Sequence, residues 1–64
     1  MELYRDSTVV VTGAAGTVGK ELIRQLLALP VREIRAIDND ESALFFLEQE
    51  YRSEERLHSF LCDI

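Results

Sequence analysis

An α/β fold, a β-α-β-α-β half of a doubly wound parallel sheet, is predicted by three observations. Short β-branched runs alternate with amphipathic helical stretches. A glycine-rich turn joins the first run to the first helical stretch. An acidic cluster follows the second run. Alternation of this kind is the pattern of crossover units with parallel strands.

Thr8-Val9-Val10-Val11-Thr12 is the first strand, bounded by Gly13. Its consecutive apolar positions suit a parallel sheet covered on both faces. Gly13-Ala14-Ala15-Gly16-Thr17-Val18-Gly19 is the turn. From Thr17 the apolar residues take helical spacing: Val18, Leu22, Leu26 and Leu29 form a stripe, widened by Ile23 and Leu27. Lys20, Glu21, Arg24 and Gln25 supply the polar side. Pro30 cannot continue the backbone ladder and ends the helix.

Glu33-Ile34-Arg35-Ala36-Ile37 is a second strand, stopped by the turn and cap cluster Asp38-Asn39-Asp40. A second helix is expected over 41–52, with Leu44, Leu47 and Tyr51 on one stripe and Phe45 beside it. Phe45, Phe46 and Leu47 read as core and its margin. Ser53-Glu54-Glu55-Arg56 reads as a solvated connection, and Leu57 to Cys62 as a third strand. His58 reads as structural, and Cys62 as a small core residue. Right-handed crossovers place both helices on one face, so the other face needs a cover that these residues do not contain. The expectation is that residues 1–64 are the amino-terminal part of a larger domain, or that the bare face meets a partner.

Composition excludes several classes. The chain has 64 residues, 47% hydrophobic and 30% charged, as expected of a small globular unit. A net charge of −5 argues against a nucleic-acid partner, whose phosphates require clustered Lys and Arg. One cysteine and one histidine cannot build a disulfide framework or a Cys/His zinc site, so no metal is expected. No apolar run reaches the roughly 20 residues of a membrane span. The opening Met1-Glu2-Leu3-Tyr4-Arg5-Asp6 is too polar for a signal peptide. No membrane partner and a cytoplasmic location are expected.

Gly13, Gly16 and Gly19 give G-x-x-G-x-x-G between a strand and a helix. The first glycine permits a tight exit from the strand, the second a close approach of backbone to a pyrophosphate, and the third close packing of helix on sheet. The helix N-terminus then holds the anion, and Thr17 can add a hydroxyl donor. Asp38 follows the last glycine by about 20 residues, the spacing of the acid that accepts from the adenosine ribose in a Rossmann dinucleotide fold. The plain alternative is a glycine turn and a capping Asp that bind nothing. A P-loop does not fit: Ala14 stands where glycine is needed and Glu21 where Ser or Thr is needed. Lys20 is therefore a solvent-facing helix residue. Three acids and no base lie in Asp38-Asn39-Asp40-Glu41, which favours NAD over NADP because a 2′-phosphate would meet like charge. Arg35 lies on the polar side of its strand.

The run from Val10 to Leu27, the segment Ile37-Asp38-Asn39-Asp40-Glu41-Ser42-Ala43-Leu44-Phe45-Phe46-Leu47-Glu48-Gln49-Glu50 and the terminal Cys62-Asp63-Ile64 resemble the extended short-chain dehydrogenase/reductase family. Within it they look most like the CapD-like polysaccharide-biosynthesis branch of nucleoside-diphosphate-sugar 4,6-dehydratases and epimerases. The resemblance implies that Gly13, Ala14, Ala15, Gly16, Thr17, Val18 and Gly19 bind the pyrophosphate, and Asp38 with Asn39 the ribose. It implies that Asp63, beside Ile64, meets the adenine amino group. It also implies a nucleotide-sugar substrate, hydride removal from sugar C4 to NAD and later return, and a homo-oligomer or further chain over the open sheet face. The family's catalytic Tyr-x-x-x-Lys is missing: Tyr4 and Tyr51 have Thr8 and Glu55 at the lysine position, and Lys20 has Gly16 at the tyrosine position. No catalytic residue is expected among these 64, and these residues alone should show no turnover. Two competing readings are another extended dehydrogenase that releases its NADH, and a non-catalytic dinucleotide-binding regulatory module.

Overall fold

The computed structural model describes residues 7–62. Its elements are β1 (Thr8–Thr12), α1 (Thr17–Leu27), β2 (Glu33–Asp38), α2 (Glu41–Glu50) and β3 (Leu57–Leu61). The strands form one parallel sheet in the order β1-β2-β3, which is half of a doubly wound Rossmann sheet.

Strand side chains alternate between faces, and the buried set shows which face the helices cover. Val11 of β1 and Ile34 and Ala36 of β2 pack with Ile23 and Leu26 of α1 and Leu44 and Leu47 of α2. Both helices therefore lie on one side, as right-handed crossovers require. Ile23, Ile34 and Leu47 are the largest fully buried side chains; each contributes about 1.5–3 kcal/mol relative to exposure. On the other face the register aligns Thr12 with Ile37 and Phe60, and Val10 with Arg35 and His58. Val10 is 55% exposed and Phe60 45%. Glu33 lies there too, 3.3 Å from Arg35 and 3.8 Å from His58. This face is apolar toward the carboxyl ends of the strands and charged toward their amino ends.

Five expectations are corrected. Ile23 and Leu26 of the expected α1 stripe are buried, and Leu27 and Leu29 pack against the core, but Val18 and Leu22 are exposed and Gly19 lies on the buried face instead. Gly19 decides this, because only a residue without a side chain can face the loop at that distance. Phe45 and Phe46 point outward from α2 and pack edge to face on each other, with ring centroids 5.7 Å apart. Cys62 is exposed, since it lies past the end of β3. The segment before β3 is more than a solvated connection. The Arg56 guanidinium reaches back to the end of α1, donating to the carbonyls of Leu27 at 2.7 Å, Leu29 at 2.9 Å and Val31 at 3.3 Å. It also pairs with Glu54 at 3.0 Å. Helix ends leave carbonyls unsatisfied, and here a distant side chain takes that of Leu27 together with two in the connection after α1. The helices are also slightly shorter than expected: α1 ends at Leu27 and α2 at Glu50.

Candidate functional site

The carboxyl ends of β1 and β2 meet at the glycine-rich turn. Gly13 has φ +64°, a conformation that glycine adopts without the steric cost of a Cβ, and nothing lies within 4 Å of where its Cβ would stand. The backbone there is open to an approaching group. Ala14 is fully buried and its N–H donates to the Ile37 carbonyl at 3.1 Å, extending the β1–β2 pairing into the loop. Gly16 N–H donates back to the Gly13 carbonyl at 3.1 Å. A Cβ on Gly19 would lie 2.7 Å from Ala14 Cα, so α1 passes too close to the loop for any side chain there.

The two helix N-termini differ. In α2, the Asp40 carboxylate accepts from Ala43 N–H at 3.1 Å and Glu41 adds an acid in the first turn. In α1, the cap is Gly16, with no side-chain hydrogen bond and no acid in the first turn. The α1 terminus keeps its positive end uncompensated by side chains, the arrangement that suits an anion. Thr17 and Val18 are exposed at that end.

Asp38, the last residue of β2, is half-buried between the two turns. Its Oδ2 accepts from Ala15 N–H at 2.9 Å, and its Oδ1 from Asp40 N–H at 3.0 Å. The Ala15 bond, then the Asp40 bond, lowers its pKa below the ordinary 3.8. A carboxylate offers about four acceptor positions, so it can still accept from two hydroxyl groups. Thr12, Gly13, Asp38 and Asn39 together line an open cleft of about 420 Å³. Thr12 was missed by sequence reasoning; its signal is its place as the last residue of β1, directly before Gly13. A larger hollow of about 470 Å³ lies at the β3 edge among Leu44, Phe45, Ser59 and Leu61. Its charged lining is Glu41 and Glu48, which would repel phosphate.

The structure thus brings Gly13, Asp38 and Asn39 to one cleft and sets the rest of Ala14 to Gly19 beside it. Asp63 and Ile64 lie outside the described residues. Arg35 lies on the helix-free face, paired with Glu33, away from the Asp38 turn. Lys20 is exposed. Among the described residues, no His, Cys, Asp and Glu group could hold a metal ion.

This is a Rossmann-type unit with a glycine-rich strand-to-helix turn and an acid at the end of the second strand. Residues 9–64 match the family described as polysaccharide biosynthesis protein, and the chain belongs to that family. It is 43% identical, over 95% of its length, to an uncharacterized membrane protein of Methanocaldococcus jannaschii, of which it covers 18%. The X-ray structure of Pen from Bacillus thuringiensis matches 95% of the chain with a TM-score of 0.89 at 24% identity, and the chain covers 19% of it. That likeness is one of fold. The chain spans about a fifth of the length of these proteins. Among the described residues no helix is long and apolar enough to cross a membrane.

Proposed function

We propose that the chain is the NAD-binding segment of a nucleoside-diphosphate-sugar dehydratase or epimerase acting in polysaccharide biosynthesis. The family supports the pathway. The observation that carries the cofactor is the meeting of Asp38 with the glycine turn at the Thr12, Gly13, Asp38 and Asn39 cleft. The donor set fits a dinucleotide: a helix start without side-chain caps for the pyrophosphate, and a carboxylate with acceptor positions to spare for ribose hydroxyls. When bound, NAD would supply a hydride acceptor for oxidation at a sugar carbon. This chain's residues would bind and orient it. The loop and the start of α1 hold the pyrophosphate, Asp38 and Asn39 the ribose, and Asp63 the adenine. Asp40 and Glu41 lie beside Asp38, and no base within residues 38–41 offsets them against a 2′-phosphate, so NAD is preferred to NADP.

In this reading the helix-free face of the sheet is covered by further parts of the enzyme or by a second copy. The unit works in the cytoplasm, and a membrane-crossing helix of the kind the archaeal relative's name implies is not among residues 7–62. The test is incubation of the full-length protein with NAD and a panel of nucleoside-diphosphate hexoses, followed by mass spectrometry and NMR of the sugar. Loss of one water or inversion of one centre is the expected result. A protein that binds NAD yet alters no sugar in the panel would favour the regulatory module instead.

A further inference from the structure

The glycine-rich loop is held to its surroundings by few bonds. Ala14 is tied to the Ile37 carbonyl through its backbone; Gly16 donates to Gly13 of the same turn, and its carbonyl accepts the Lys20 N–H of α1 at 2.9 Å. The middle of the loop is fixed by one side chain: Asp38 Oδ2 accepts the Ala15 N–H at 2.9 Å across 23 residues of sequence. The other oxygen of that carboxylate fixes the Asp40 N–H, and so the start of α2. Glycine-rich backbone loses much conformational freedom when ordered, so a loop of this kind gains order from such an external tie.

We infer that Asp38 is a positioning residue for the pyrophosphate loop as well as a ribose acceptor, one carboxylate locking the loop to the β2–α2 turn. Loop order and ribose recognition are then one device. Removing the carboxylate weakens the grip on the phosphates even of a ligand that has no ribose hydroxyls to offer Asp38. The ligand half of this inference rests on the NAD reading above; the loop half stands without it.

Two measurements on the full-length protein test it. The first is amide hydrogen exchange without ligand in wild type, Asp38→Ala and Asp38→Asn. Ala15 should exchange roughly tenfold faster in Asp38→Ala, the effect of losing one charge-assisted hydrogen bond. Ala14, bonded to a backbone carbonyl, should keep its protection and so report an intact fold. Asp38→Asn retains an acceptor oxygen and should recover most of the Ala15 protection. The second is titration with NAD and with its analogue lacking the 2′ and 3′ hydroxyls of the adenosine ribose. Asp38→Ala should weaken both, the analogue by a smaller factor. Unchanged Ala15 exchange in Asp38→Ala, with Ala14 still protected, would overturn the inference. So would a loss for NAD that vanishes with the analogue, and in that case the NAD reading survives. If wild type binds neither nucleotide while Ala15 responds as expected, the NAD reading fails and the loop role is upheld.

Discussion

Gly19 lies against Ala14 so closely that a Cβ on Gly19 would stand 2.7 Å from the Ala14 Cα, with the Gly13 carbonyl oxygen nearer still. The obstacle is backbone, which cannot rotate aside as a flexible side chain can. This contact sets the distance between α1 and the loop, and with it the face that α1 buries.

Gly19→Ala should therefore displace α1 or the loop and cost about 1–3 kcal/mol, the range for overpacking. Gly13→Ala should behave differently. Its Cβ would meet nothing within 4 Å, but the residue holds φ +64°, so the cost is about 1–2 kcal/mol of left-handed strain. Thermal or denaturant unfolding gives both values. Crystal structures should show moved backbone in Gly19→Ala and an unmoved or locally rotated turn in Gly13→Ala. A Gly19→Ala protein as stable as wild type would contradict this packing account.

Arg56 predicts a stability effect far from the cleft. Its side chain is 30% exposed, so its three carbonyl bonds are partly screened. Arg56→Met should cost about 1–2 kcal/mol, below the upper range for hydrogen bonds from charged groups. Arg56→Lys should recover only part of the loss, because an ammonium lacks the planar fork that serves several carbonyls at once. Equal stability of Arg56→Met and wild type would remove the capping role.

Most of the fold could be read from the sequence because its signals are local. The β1 run ends at the first glycine, and the acidic cluster at 38–40 supplies both the end of β2 and the cap of α2. The positions of Gly13 and Asp38 at the cleft followed from the same local signals. What could not be read depends on tertiary contact. Counting steps of four from Val18 found the buried Leu26 but put Val18 and Leu22 on the buried face, and these sit about 100° from Gly19 and Ile23 around the helix. The loop contact at Gly19 turns the first part of the helix so that Gly19 and Ile23, not Val18 and Leu22, face inward. Arg56 carries no capping signal at its own position, since the carbonyls it binds belong to the end of α1 and the connection after it, 25–29 residues earlier. The double role of the Asp38 carboxylate likewise depends on two loops meeting in space.

Acid should weaken the structure through groups whose protons are held less tightly when folded. Backbone N–H groups lower the Asp38 pKa below its ordinary 3.8, and Arg56 lowers that of Glu54 below 4.5. The unfolded chain then binds the extra protons, so stability falls as pH falls. The contribution is complete above about pH 4.5 and is lost as pH drops through the folded values. A melting temperature measured against pH should be level just above that range and decline below it, and a double Asp38→Asn, Glu54→Gln variant should decline less. Identical acid profiles for variant and wild type would contradict the assignment.

The central claim is that Asp38 and the glycine turn form one NAD site. Calorimetric titration of the full-length protein with NAD and NADP, in wild type and in Asp38→Ala, tests it most directly. Wild type should bind NAD more tightly than NADP. Asp38→Ala should weaken NAD binding by about 1.5–3 kcal/mol, as for hydrogen bonds to a charged group. NADP should lose less or gain, because the like charge is gone. Equal wild-type affinities for the two cofactors, or a substitution that weakens both alike, would contradict the account.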